Sequence, residues 1–224
     1  MITVLVVDDQ PIVRRGLRLF LTNYEDIVVV GEADSGPNAV YQSGQINPDV
    51  ILMDIRMPDG DGLTAAKIIL SNRPKQKIII ITTFGHDDYL YSAIDLGVSG
   101  FILKDTGPSE LAQAIYNSHK GGTSISSTLL GSLTREFGRR SAVSAESVKS
   151  TVDISIPLTV REVDIVQCLA RGLSNDDISV ELCIEVSTIK SHLGRISNKV
   201  GTKSRLQTAI WAYRSGLIDA HSLD

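Results

Sequence analysis

The sequence predicts an α/β fold, a doubly wound sheet of five parallel strands, followed by a small all-α domain of four helices. Three observations carry this. Short Val- and Ile-rich runs alternate with amphipathic stretches in the first half, the alternation stops after Gly121-Gly122, and four segments with legible helix caps close the chain. A chain of 224 residues with 42% hydrophobic content has enough apolar surface for a core in each part.

Taken in order, strands are expected at Thr3–Val7, Ile27–Val30, Val50–Met53, Ile78–Ile81 and Gly100–Leu103. Continuous apolar runs of this length suit strands covered on both faces, and the segments between them, such as Leu63–Leu70 and Leu111–Ser118, have helical spacing. Five βα units with right-handed crossovers put helices on both faces and open a crevice at the carboxyl ends of the strands. From Gly138 to Pro157 the chain is rich in Ser, Ala and Val without a sustained period, which reads as a linker preceded by a helix at Ser127–Phe137. The expected division is a first domain over 1–121, a linker over 122–157 and a second domain over 158–218.

In that second domain, Thr159-Val160-Arg161-Glu162 is a capping box opening a helix that Gly172 closes, and Ser174 to Asp177 is a looser version opening the next. A third helix runs from Ser187 to Val200 and stops at Gly201. Ser204-Arg205-Leu206-Gln207, another capping box, opens the fourth, which ends before Gly216.

Met1-Ile2-Thr3 leads straight into Val4–Val7 and then Asp8-Asp9, so no secretory h-region fits, and no apolar run reaches bilayer-spanning length. Cys168 and Cys183 have neither metal-ligand spacing nor a partner motif and read as reduced residues of a cytoplasmic protein. The net charge of −4 is unevenly divided, with 10 basic against 15 acidic residues over 1–121 and a slight basic excess beyond. Between Val186 and Ile218 stand Lys190, Arg195, Lys199, Lys203, Arg205 and Arg214 with no Asp or Glu, a local footprint for a polyanion.

The first strand ends in Asp8-Asp9, the third in Asp54, the fourth in Thr82 and the fifth in Lys104. Singly, Asp8 or Asp9 suits a helix cap, Asp54 a turn and Lys104 a solvated surface. Jointly they are acids, hydroxyl and ammonium at the ends of four strands that the fold gathers into one crevice. Three crowded carboxylates make sense with a hard divalent cation among them. Mg²⁺ fits best, because it takes oxygen ligands, retains waters and bridges carboxylate to phosphate. Asp54 can then attack phosphorus, and the cation and Lys104 neutralise the acyl phosphate. A bond from the Thr82 hydroxyl to a phosphoryl oxygen would draw the loop Thr83–Asp88 toward the site.

Val6-Val7-Asp8-Asp9, Met53-Asp54-Ile55-Arg56-Met57-Pro58, Ile81-Thr82-Thr83 and Phe101-Ile102-Leu103-Lys104 resemble the receiver domain of two-component response regulators, a flavodoxin-like fold. The resemblance implies that Asp54 is the phosphoacceptor and that Asp9 and Asp54 bind Mg²⁺ with the Arg56 backbone carbonyl, Asp8 assisting through water. It also implies that Thr82 and Phe101 are paired switch residues and that Lys104 contacts the phosphoryl group. Asp105 stands where many receivers have proline, so the local geometry after Lys104 does not carry over.

In the basic segment, Ile189, Leu193, Ile196 and Val200 trace one helical stripe. The opposite side presents Ser187, Lys190, Ser191, Gly194, Arg195 and Asn198, which suit a major groove, with Lys199, Lys203 and Arg205 near phosphates. By itself such a face is ordinary solvated surface. The preceding helix and turn, Ser174–Leu182 then Cys183–Val186, supply a helix-turn-helix frame. Leu158–Ile218 is similar to the LuxR-type output domain through Leu158-Thr159-Val160-Arg161-Glu162, Ala170-Arg171-Gly172-Leu173-Ser174-Asn175, Ser187-Thr188-Ile189-Lys190-Ser191-His192-Leu193 and Lys203-Ser204-Arg205. The full chain thus resembles response regulators of the NarL/FixJ class. That implies a third helix that reads the groove, Thr188 among its contacts, and a dimer formed largely through the fourth helix, about Arg205–Tyr213. Two departures from the pattern are Glu185, where a capping serine is common, and Gly194, where a longer side chain often reaches DNA. His192 reads as a packing residue or a phosphate contact.

The expected function is a phosphorylation-dependent transcriptional regulator. A cognate sensor histidine kinase phosphorylates Asp54, and the receiver controls homodimerisation and binding of double-stranded promoter DNA, away from the membrane. No turnover chemistry is expected beyond self-phosphorylation and dephosphorylation at Asp54. An Mg²⁺-dependent phosphohydrolase on the same sheet is the alternative of another class. Arg56 argues against it, because that position would need a second acid to protonate the leaving group. A constitutive DNA binder with a vestigial receiver is a third reading, and the intact acidic set weighs against it.

Overall fold

The structure is a computed structural model that describes residues 1–58, 62–83, 88–125, 158–202 and 204–218. In the first part β1 (Ile2–Val7), α1 (Pro11–Leu21), β2 (Ile27–Ala33), α2 (Gly36–Ile46), β3 (Val50–Asp54) and α3 (Gly62–Asn72) are followed by β4 (Lys77–Thr82), α4 (Asp88–Leu96), β5 (Gly100–Leu103) and α5 (Pro108–His119). The strands form one parallel sheet in the order β2-β1-β3-β4-β5-β6, where β6 is Ser124–Ile125. Parallel pairing needs a crossover between neighbours, and the amphipathic segments supply it.

Each expected strand is present, but the sheet has six strands and not five. Two residues are too few for any periodicity to register in the sequence. β6 pairs Gly100 with Ser124 and Phe101 with Ile125. A Cβ on Gly100 would lie 2.7 Å from the Ser124 carbonyl oxygen, so a glycine at this position lets the sixth strand approach. β2 runs three residues past the expected Val30, to Ala33. It is a sheet edge with partly exposed positions, so Glu32 is tolerated in a strand whose apolar run stops at Val30.

The sheet separates two apolar layers. Val4, Val6, Leu52, Ile79, Ile81 and Ile102 pack with Leu21 of α1 and Leu111 and Ile115 of α5. Leu5, Ile51, Met53, Ile78, Ile80 and Phe101 pack with Ala39 of α2, Ala66 and Ile69 of α3 and Ala93 and Ile94 of α4. Central β3 is buried along its whole length, which explains its unbroken apolar run. Each fully buried side chain of this kind contributes about 1.5–3 kcal/mol.

The second part holds α6 (Val160–Ala170), α7 (Asn175–Leu182), α8 (Val186–Val200) and α9 (Arg205–Arg214) around Ile165, Leu169, Ile178, Ile189, Ile196 and Ala212. The Thr159–Glu162 and Ser174–Asp177 capping boxes are both complete. The box expected at Ser204 is half made. The Ser204 side chain accepts from the Gln207 amide, but the Gln207 side chain donates to the Ile94 carbonyl at 3.3 Å and to Asp95 at 3.4 Å. Gln207 therefore ties α9 to α4 of the first part. Leu206 and Ile210 of α9 are buried in the apolar layer that holds α2, α3 and α4. The helix expected at Ser127–Phe137 lies outside the described residues.

Candidate functional site

β1 and β3 end side by side and β5 ends one strand further on, beyond β4, and the residues at these three ends bring Asp8, Asp9, Asp54 and Lys104 together. The Lys104 Nζ lies 2.6 Å from Asp8 Oδ2 and 2.7 Å from Asp54 Oδ2. The other oxygens are held by the chain itself, since Asp8 Oδ1 accepts from the Gln10 amide at 2.9 Å and Asp54 Oδ1 from the Arg56 amide at 3.4 Å. Asp9 Oδ1 is buried without a hydrogen-bond partner. One oxygen from each acid falls within 4.8 Å of the others, a spacing that can hold a metal ion. A buried carboxylate oxygen with no donor needs a cation or a proton donor to offset its desolvation, so the residues present fit a hard cation.

The charges are tuned by this crowding. Burial pushes the Asp54 carboxyl above its ordinary range and the Asp8 charge adds to that, against the pull of Lys104. Burial works against the Lys104 ammonium too, but hydrogen bonds and charges from Asp54 and Asp8 hold its pKa above the ordinary lysine value. Gly62 is pressed against the strand end, where a Cβ would lie 1.9 Å from the Asp54 carbonyl oxygen. Thr82 ends β4 beside β5, and its carbonyl accepts from the Lys104 amide at 2.7 Å. Phe101 is only 1% exposed, on the layer shared with Ile80, and is paired to Ile125 of β6. Most of the loop Thr83–Asp88 lies outside the described residues.

Two features of the site were missed in the sequence. Arg14, on the first turns of α1, donates through Nη1 to the carbonyls of Asp8 (2.7 Å) and Asp9 (3.3 Å) and through Nε to Glu32 (3.1 Å). Nothing in the pattern marks it, because an arginine on an amphipathic helix reads as solvated. β6 is the other, since its place against Phe101 depends on pairing alone.

The candidate nucleic-acid face is α8. Ser187, Thr188, Lys190, Ser191, Gly194, Arg195 and Asn198 are exposed along it, while Ile189 and Ile196 are buried beneath. Glu185 is its N-cap residue and makes no side-chain cap, and a Cβ on Gly194 would meet open space. Two residues expected near phosphates are engaged elsewhere. Lys199 Nζ lies 2.7 Å from buried Glu162, and Arg205 donates to Asn175 Oδ1 at 2.7 Å and to the Leu173 carbonyl. In each case an acceptor within the domain, buried for Lys199 and partly buried for Arg205, competes with solvent for the cation. Lys203 lies outside the described residues. Cys168 is buried and Cys183 exposed, and both are free.

Residues 4–116 match the family described as response regulator receiver domain, and residues 156–212 match bacterial regulatory proteins of the luxR family. The chain is 37% identical over 217 residues to the uncharacterized transcriptional regulatory protein YxjL of Bacillus subtilis, covering 97% of each chain. It is 36% identical to the transcriptional regulatory protein LiaR of the same organism, covering 98% of this chain and all of that one. Among solved structures, the RcsB response regulator of Salmonella typhimurium is similar at 25% identity and a TM-score of 0.56, covering 94% of this chain and 97% of that one. The response regulator ChrA of a heme-sensing two-component system matches at 31% identity and a TM-score of 0.50, covering 97% and 98%. With a receiver whose acids converge at the strand ends and a helix-turn-helix whose basic helix faces outward, the chain belongs to the response regulators with a LuxR-type DNA-binding domain, which regulate transcription in response to phosphorylation.

Proposed function

We propose that Asp54 is the phosphoacceptor and that α8 delivers the phosphorylation signal to promoter DNA. The observation that carries the reading is the convergence of Asp8, Asp9 and Asp54 with Lys104 at the carboxyl ends of β1, β3 and β5. An Asp54 carboxylate oxygen attacks the phosphorus of a phosphohistidine on the sensor kinase. The P–N bond breaks, the P–O bond of an acyl phosphate forms, and the imidazole leaves. Lys104, already within reach of Asp54, follows the charge onto the phosphoryl oxygens. Asp9 and Asp54 with the Arg56 carbonyl, and Asp8 through water, would hold Mg²⁺, which when bound neutralises the same oxygens. Thr82 and Phe101 relay the change, the first through its hydroxyl and the second through its packing against β6.

On the output side, Ser187, Thr188, Lys190, Ser191, Arg195 and Asn198 are the proposed DNA contacts, and Lys203 is kept as a phosphate contact by sequence. Lys199 and Arg205 are assigned instead to holding the domain together. The burial of Leu206 and Ile210 against the receiver supports control through pairing of two chains rather than through covering of α8, because the reading face is exposed while the pairing helix is occupied.

Wild type and Asp54→Asn are incubated with Mg²⁺ and acetyl phosphate and examined by intact mass, sedimentation and DNA-binding titration. Wild type is expected to gain one phosphoryl group, dimerise and bind DNA more tightly, and the variant to do none of these. Equal responses from the two proteins would overturn the assignment.

A further inference from the structure

We infer that Arg14 is a positioning residue for the acidic site and sets its affinity for a divalent cation. The inference rests on the proposed cation-binding role of Asp9 and Asp54.

The β1–α1 turn carries two of the three acids, yet little of its own structure holds it. The N-cap residue Gln10 makes no side-chain cap, and Pro11 opens the helix without an amide to donate. From outside, the Asp8 amide bonds the Ala33 carbonyl and Lys104 holds the Asp8 carboxylate, and Arg14 grips the carbonyls of both acids. Its Nη1 reaches back over the first turn of α1 to the carbonyls of Asp8 and Asp9, at 2.7 and 3.3 Å. A helical side chain leans toward the N-terminus, so a residue in this first part of the helix suits that reach.

Arg14 is itself held from behind. Its Nε pairs with Glu32 of β2 at 3.1 Å, and Glu32 pairs in turn with Arg18 at 2.8 Å. The Arg14 side chain is only 15% exposed, so little water competes for these bonds. A chain of contacts therefore runs from the sheet edge through Arg14 to the peptide planes that bear the Asp8 and Asp9 side chains. With those carbonyls turned outward to the guanidinium, the carboxylates are left to face the crevice, where Asp9 Oδ1 lies buried without a donor. The guanidinium fork spreads its donors over separate nitrogens, so Nε reaches Glu32 while Nη1 reaches the two carbonyls, a spread that the single nitrogen of lysine lacks.

The test compares full-length wild type, Arg14→Met and Arg14→Lys by titrating MgCl₂ and following backbone amide shifts of the β1 and β3 ends. Thermal unfolding without metal is measured in parallel. Arg14→Met is expected to weaken Mg²⁺ binding about tenfold, the size seen when groups that orient metal ligands are removed. Arg14→Lys, which keeps the charge but only one donor nitrogen, is expected to lose only about threefold. A folded Arg14→Met that binds Mg²⁺ as wild type does, whatever its melting temperature, overturns the inference. Should that variant not fold, unchanged affinity in Arg14→Lys overturns it. Wild type without Mg²⁺-dependent shifts would overturn the site reading, and the role of Arg14 with it.

Discussion

Asp54 is a carboxyl whose burial works against its charged form. Its carboxyl pKa stands above the ordinary value because burial outweighs the help of Lys104. The folded protein thus holds that proton more tightly than the unfolded chain. The contribution of this group to stability falls as pH rises from the ordinary carboxylate value through the raised one, and stays lower at neutral pH. Asp54→Asn removes the burden. Its metal-free receiver is expected to melt a few degrees higher than wild type at neutral pH, the gap narrowing in acid, where wild-type Asp54 is protonated. Scanning calorimetry at several pH values checks this, and a lower melting temperature for Asp54→Asn at neutral pH would contradict it.

Among the elements, α8 combines the proposed DNA face with an anchor to its own domain. Lys199 lies on the same helix as Lys190, but its ammonium closes on Glu162, which also completes the cap of α6. The bond from Lys199, with those from Thr159, lowers the Glu162 pKa from its ordinary 4.5 to about 2. A carboxylate with a depressed folded pKa stabilises above its unfolded value and loses that contribution as pH falls from 4.5 toward 2. Lys199→Ala is expected to destabilise the output domain by about 1–2 kcal/mol. The only tryptophan, Trp211 on α9, reports this in a urea titration. The difference from wild type should fade below that pH window. The salt slope of DNA binding should be unchanged, whereas loss of a phosphate contact would flatten it by about one unit.

The two domains meet through α9. Leu206 and Ile210 supply apolar contact and Gln207 a tether to α4, but the seam also carries opposing features. Burial draws the Lys77 ammonium below its ordinary value, with the charge of Arg205 adding to it, and burial takes Arg205 itself down to about 10. A cleft of about 300 Å³ between α5, β6 and the output helices, lined by Glu110, Asn117, Arg171 and Tyr213, leaves the contact incompletely packed. Like charges and a cleft weaken this junction, as the proposed pairing through α9 requires. Bridging Asp95→Cys and Gln207→Cys with a short bis-maleimide, in a Cys183→Ser background, should leave phosphorylation intact and abolish phosphorylation-dependent dimerisation. The unbridged variant should still dimerise, and bridged protein that dimerises as well would show that the contact does not restrain pairing.

The alternation of Val and Ile runs with amphipathic segments was enough to place five strands and the acids at their ends, because strand burial and chain topology follow from local pattern. The helix caps at Thr159 and Ser174 were legible for the same reason, since each is a contact three residues long. The same proximity misled at Ser204, where Gln207 turned to the receiver instead of its own helix end. Arg14, Glu32 and β6, like the partners of Lys199 and Arg205, depend on residues brought together from distant parts of the chain. A charge in a sequence has no assigned partner. It acquires one when burial removes the water that would otherwise serve.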